Sequence, residues 1–92
     1  VTPYYVRFQV ADQPGVIAEI ARILAIFGIG ISATSSAPSH IDENGAPWND
    51  LVFMLHACPW GQLQQALEQI SRIPFVAPEP RVLRIEHLLP QS

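Results

Sequence analysis

The residues with the most chemistry to offer lie in one short stretch, Asp12-Gln13-Pro14-Gly15-Val16-Ile17, where an alternating apolar pattern gives way to a helical one. Pro14 has its φ preset for a first helical turn, and Asp12 just upstream can accept bonds from the N–H groups of that turn. Gly15 has no Cβ and leaves those groups open to a visitor. The first N–H groups of a helix have no internal partner and sit at the positive end of the macrodipole, so an uncovered tip attracts a carboxylate. That attraction contributes only about 0.3–1 kcal/mol in water. Even a millimolar ligand needs about 4 kcal/mol. The turn can therefore orient a small carboxylate, and further walls must hold it. The bland alternative is that Asp12 only caps the helix and Gly15 only packs close to a strand.

Other reactive side chains form no constellation. His40, His56 and His87 fall on a loop, a strand end and the C-terminal tail, with no i, i+4 or Cys-x-x-Cys companion to hold a metal. Cys58 has only His56 nearby, and without an orienting third group or an oxyanion site a Cys–His nucleophile is not expected. The serines at 32, 35, 36 and 39 lack a G-x-S-x-G setting, and no Gly-rich phosphate cradle is present. The chain alone is therefore not read as an enzyme. Trp48 and Trp60 flank a strand and suit either partner anchoring or loop covering.

Composition narrows the partners. Ninety-two residues make one domain, residues 1–92, with one modest core. At 49% apolar and 14% charged, the chain describes a compact fold. A net charge of −3 with five Lys and Arg residues offers no basic surface to a phosphate backbone, so nucleic acid is not an expected partner. The single Cys58 suits a reducing cytoplasm. No apolar run approaches the roughly 18–20 residues that span a bilayer, so no membrane partner is expected. A chain that starts at Val1 suggests a domain excised from something longer.

Four strands and two helices must position the turn. Tyr4, Val6, Phe8 and Val10 alternate with Tyr5, Arg7 and Gln9 as a half-buried first strand. From Val16 to Phe27 the residues Ile17, Ile20, Ala21, Leu24 and Phe27 keep helical spacing, with Glu19 and Arg22 opposite, and Gly28 is placed for a left-handed cap. Ile29-Gly30-Ile31 opens a second strand through Ser35. Residues 38–48, with two prolines and a glycine and no period, read as a mobile loop. Leu51-Val52-Phe53-Met54-Leu55-His56 is a third strand, apolar on both sides. Leu63, Ala66, Leu67, Ile70 and Ile73 form the inward stripe of a second helix, with glutamines 62, 64, 65 and 69 outward and Pro74 as its stop. A proline-broken turn over residues 75–80 leads to a fourth strand at 81–86, and Leu89-Pro90 reads as a frayed end.

The order is βαββαβ, an α+β ferredoxin-like arrangement with two helices on one face of a four-stranded antiparallel sheet. In that topology strands one and three are central and strands two and four are edges. The exposed edge at residues 31–35 is a template for a second copy, and pairing across a two-fold axis would bring the neighbour's small residues near residues 12–15. Tyr5, Val52, Met54 and Val82 are expected on the face away from the helices, which suits contact with another chain or domain. An RNA-binding module shares this order, yet Leu51 to Ala57 lacks the aromatic and basic residues it would need.

The pattern D-x-P-G-V between an alternating strand and an amphipathic helix, followed by G-I-x-I-S, resembles the ACT domain, a small regulatory module that binds amino acids. More narrowly, Y-Y-V-R-F-x-V-x-D-x-P-G-V-I-A-x-I-A-x-I-L-A, then G-I-G-I-S, L-V-F-M-L-H-A and a closing R-I-E resemble the C-terminal ACT domains of the homoserine dehydrogenase family. The likeness spans nearly the whole chain, and its first half carries most of the specificity. It implies a regulatory tail on an NAD(P)-dependent catalytic domain that reduces aspartate semialdehyde to homoserine, a homodimer, and feedback by threonine or a related small amino acid. It places the ligand-facing positions at Asp12, Pro14, Gly15, Val16 and Ile17 and at Ile31 and Ser32. Two positions depart from the family pattern and bear on ligand identity: a usual glutamine is replaced around Pro38, and a usual threonine before His56 is Leu55. The competing reading is an assembly module of the same fold that pairs catalytic subunits without a ligand.

Overall fold

Alternation along the first strand decides which side of the sheet is covered. In β1 (Thr2–Ala11) the side chains of Tyr4, Val6, Phe8 and Val10 are buried, while Arg7 and Gln9 between them are exposed. The computed structural model describes residues 2–77 and 80–85. β3 (Pro47–Cys58) lies antiparallel to β1 with Val6 opposite Phe53 and Phe8 opposite Leu51, so the buried sets of both strands share one face. Phe8 and Phe53 meet edge to face at 5.9 Å, the arrangement that ring quadrupoles favour. α1 (Val16–Ile26) and α2 (Trp60–Ile70) cover that face with Ile20, Leu24, Leu63, Ala66 and Ile70. β2 (Ile31–Ile41) and β4 (Arg81–Arg84) complete a sheet of order β2-β3-β1-β4. The expected βαββαβ fold, with strands one and three central, is the fold observed.

Local chemistry accounts for the element ends. Gly28, at φ 73°, closes α1 as expected: its N–H reaches the Ala25 carbonyl and the Ile29 N–H reaches that of Leu24, the paired bonds of a left-handed helix stop. α2 ends at Ile70, four residues before Pro74 rather than at it. A proline ring clashes with the carbonyl four residues back and cannot donate to it, so the chain tightens into i→i+3 turns, with Ile73 N–H on the Ile70 carbonyl. Gln62 does not face solvent with the other glutamines; it is half-buried and its amide donates to the Phe27 carbonyl, tying α2 to the end of α1.

Two further expectations change, and a third is only partly covered by the described residues. The stretch 38–48 is not a mobile loop but the far half of a β-hairpin, because β2 continues to Ile41 and β3 begins at Pro47. Val82 lies opposite Val6 and packs against the core, so it belongs to the helix face; Leu83, opposite Tyr5 and 54% exposed, joins Tyr5, Val52 and Met54 on the open face. β4 is paired over Arg81–Arg84; Glu86, His87 and the end at Leu89-Pro90 lie outside the described residues.

The core stripe of α1 sets a stability test. Ile20→Ala should lower the unfolding free energy by about 2–5 kcal/mol, the usual cost of a buried Ile truncation. Ile26→Ala, on the exposed side of the same helix at 65% exposure, should stay within about 0.5 kcal/mol. Urea unfolding followed by circular dichroism reads both.

Candidate functional site

Glycine, not aspartate, starts α1. Gly15 immediately precedes the helix at φ 87° and ψ −8°, and no side chain caps the helix start. These angles suit the third position of a type II turn with Pro14 second, and the turn closes with the Val16 N–H on the Gln13 carbonyl at 3.5 Å. The first helical bond runs from the Glu19 N–H to the Gly15 carbonyl at 2.9 Å. Pro14 therefore sits in the turn rather than in the first helical turn, and Asp12 lies too far upstream to cap. Its carboxylate stays exposed, while its backbone N–H donates to Pro47 at 3.0 Å. Among the described residues the Gly15, Ile17 and Ala18 N–H groups have no hydrogen-bond acceptor. A Cβ built on Gly15 would meet nothing within 4 Å. The turn leaves these donors open, and the exposed Asp12 carboxylate precedes them in the chain. Val16 is buried beneath it, and Ile17 is 48% exposed.

The two remaining expected ligand positions are elsewhere in the chain. Ile31 is opposite Leu55, which is opposite Tyr4, whereas Ala11 is opposite Trp48, which is opposite His40. Ile31 and Ser32 thus mark the end of the sheet where β1 begins, and the turn follows the other end. Seven strand positions at about 3.3 Å each separate the two ends by roughly 23 Å. Ser32, at a register shift, donates its hydroxyl to the Met54 carbonyl at 3.0 Å.

At the end of the sheet shared with the turn stands the β2–β3 hairpin. Asp42 organises it: Oδ1 accepts the N–H groups of Asn44 and Ala46 at 2.8 and 2.9 Å, and Oδ2 accepts the Trp48 indole N–H at 2.9 Å. Gly45 at φ 80° supplies the left-handed residue after the turn. Trp48 stacks on His40 with ring centroids 6.0 Å apart. These contacts border a cavity of about 390 Å³ that Asp12 also lines. The indole N–H, followed by the two backbone N–H groups, holds the Asp42 carboxyl below its usual range. The hairpin replaces the expected loop, and its signal in the sequence is D-E-N-G between apolar flanks, a turn pattern with a mechanism.

The chain matches the family model described as ACT domain over residues 4–75, a span that includes both the turn and the hairpin. It belongs to the ACT domain family. This ACT domain is 29% identical over 85 residues to homoserine dehydrogenase of Methylobacillus glycogenes, a match covering 92% of this chain and 20% of that protein. It is similar to the crystal structure of a homoserine dehydrogenase from Thiobacillus denitrificans, with a TM-score of 0.77 at 28% identity over 92% of this chain and 17% of that one. The regulatory subunit of aspartate kinase from Thermus thermophilus shares the fold, with a TM-score of 0.68 at 18% identity over 89% of this chain and 50% of that one. The chain spans only about a fifth of the length of the curated relative it matches. It is a regulatory domain by family.

Within this ACT domain the other reactive groups stay apart. Cys58 is buried and His56 exposed, because the irregular pairing between Thr2 and Tyr4 breaks the alternation that would have aligned them. Burial pushes the Cys58 thiol up, away from a nucleophilic thiolate. Among the described residues no cluster of His, Cys, Asp and Glu could hold a metal, and no helix is long and apolar enough to cross a membrane. His87 lies outside them. Trp48 covers the hairpin, and Trp60, 45% exposed, leans on Tyr4 at 5.6 Å.

Asp42 sets a local test. Its carboxyl is held down in the folded state, so its contribution is complete above the ordinary value of 3.8 and is lost as pH falls through the lower folded value. Asp42→Ala at neutral pH should speed hydrogen exchange at Asn44 and Ala46 and shift the Trp48 indole resonance, with the core amides of β1 unchanged. Acidification of the unaltered protein should reproduce the change only below about pH 3.8.

Proposed function

We propose that this ACT domain is the C-terminal regulatory, amino-acid-binding part of a homoserine dehydrogenase, working in the cytoplasm on an NAD(P)-dependent catalytic domain in threonine and methionine biosynthesis. The observation that carries the reading is the uncapped start of α1, where Gly15, Ile17 and Ala18 offer free N–H groups just downstream of the exposed Asp12. A zwitterion matches this pair of charges. Its carboxylate takes the backbone donors and its ammonium faces Asp12, each contact being a charge-assisted hydrogen bond. The Gln13-Pro14-Gly15 turn holds those donors in place before the ligand arrives. The similarity to homoserine dehydrogenases supports the parent enzyme, and threonine or a related amino acid is the proposed ligand.

The two edges of the sheet support a homodimer through one of them. β4 has four residues with an arginine at each end, a short and charged edge of the kind that discourages pairing. β2 has eleven residues, and the side chains from Ser32 to Pro38 are small and exposed. We assign the second copy to β2. Antiparallel pairing about a two-fold axis near the middle of that strand carries the partner's start of β2 toward the end of the sheet that bears the turn. Ile31 and Ser32 then reach a ligand across the interface although they cannot reach it within one chain. The second reading, a ligand-free assembly module, keeps this dimer. It is favoured by the departures at Pro38 and Leu55.

Titration calorimetry with threonine and other small amino acids should give a Kd near or below a millimolar, about −4 kcal/mol. Gly15→Asp puts a carboxylate among the donors and should weaken binding at least about tenfold, or about 1.4 kcal/mol, while sedimentation still reports a dimer. Thr34→Lys with Ser36→Lys should instead yield a monomer. A dimer with no heat from any amino acid well above a millimolar would leave the assembly reading in place of the sensor.

A further inference from the structure

The sheet face turned away from the helices has no cover among the described residues. Tyr5 lies there between Met54 on β3 and Leu83 on β4, which are 40% and 54% exposed, and Val52 lies beside them. Because β2 supplies only small side chains at this level, Ala33 and Ser35 leave a dent of about 220 Å³ against Tyr5, Val52 and Met54. Single exposed apolar residues are ordinary on a protein surface. A contiguous group of them around a dent marks a place where something else packs.

Charge narrows what fits. Arg7 lies opposite Arg81 on the same face, two residues along each strand from Tyr5 and Leu83. Like charges facing each other across an antiparallel pair repel. Both arginines are exposed, and the ion pairs among the described residues, Arg22 with Glu19 and Arg72 with Glu68, include neither. Asp50 shares the face but accepts the Gln9 amide at 3.5 Å. A chain of net charge −3 with five Lys and Arg residues thus gathers two of them here. A carboxylate brought from outside would relieve the repulsion, and the planar guanidinium can take it in two parallel bonds. The dent and the arginine pair are roughly 7 Å apart along β1, two strand positions.

A second copy does not suit this face, because stacking two of them doubles the excess of arginine over carboxylate. Pairing along β2 extends the sheet edge to edge and leaves the face uncovered. The homoserine dehydrogenases that resemble this chain extend far beyond it, since the matches take 20% and 17% of their lengths. We propose that the open face docks on the catalytic part of the longer enzyme, at a site that offers an apolar side chain to the dent and a carboxylate to Arg7 and Arg81. The inference rests on the reading of this chain as the regulatory part of a larger enzyme, and it adds the surface through which the two parts meet.

Thiol labelling tests it. Met54→Cys puts a thiol in the dent, and the native Cys58 is buried. In the full-length protein this thiol should react with uncharged N-ethylmaleimide at least about tenfold more slowly than in the 92-residue chain, which closes its own core. Arg7→Glu with Arg81→Glu should bring the full-length rate to within about threefold of the isolated chain, by setting carboxylate against carboxylate. Arg7→Lys with Arg81→Lys keeps the charge and should stay at least about threefold slower than the isolated chain. A thermal melt checks that each variant folds. Equal rates in the full-length protein and the isolated chain, protection that survives charge reversal, or protection of the isolated chain that fades on dilution, the mark of a second copy, would each overturn the docking. None of these rates depends on the amino-acid site, so the sensor reading stands or falls separately, on calorimetry.

Discussion

A helix that begins without a side-chain cap leaves backbone donors for something else to satisfy, and that constraint governs the end of the molecule where β1 meets α1. Gly15 makes it possible. Its positive φ turns the chain just before Val16, a geometry that costs other residues about 1 kcal/mol or more. A serine or aspartate at that position would have supplied its own acceptor and closed the tip. Instead the core anchors Val16 and Ile20 directly below, so the turn is held firmly while its upper surface stays open.

The rest of the sheet makes that opening useful. β1 and β3 are buried on one face by two helices, and their long antiparallel register carries the β2–β3 hairpin up to the level of the turn. The Asp12 to Pro47 and Ala11 to Phe75 backbone bonds then fix the turn against the two neighbouring segments. The hairpin holds its shape through one carboxylate with three donors. Such a segment keeps its order locally and needs little from the core, which lets it border a site without adding to the packing problem below.

Much of this was readable from residue order, and each failure has its own physical cause. Alternation in Tyr4 to Val10 and the 3.6-residue stripes of both helices depend on burial against a single core, so each strand and helix was placed and the fold followed. The end of α2 was misplaced because a proline acts on the carbonyl four residues before it, not only on its own position. The hairpin was missed because prolines and polar residues between 38 and 48 mask a strand whose stability comes from pairing and from Asp42. At the turn the expected roles are exchanged: glycine makes the start, and the aspartate that looked like a cap is free. Ile31 and Ser32 illustrate a different limit, since strand register places them at the far end of the sheet from the turn.

That separation has a consequence for regulation. A ligand can shift an equilibrium only by its difference in affinity between two states, so a site complete within one rigid chain would bind without reporting on anything outside it. On the proposed reading the donors, Asp12 and the hairpin belong to one copy, while Ile31 and Ser32 reach the ligand only from its neighbour. Affinity then depends on how the two copies sit along their shared β2 edges. A change of even a strand position there moves the partner's contribution by about 3.3 Å, enough to make or break a hydrogen bond. On that reading the ligand favours one alignment of the pair over others. By the reciprocity of linkage, an attached catalytic domain that set this alignment would set the affinity for the proposed amino acid in turn.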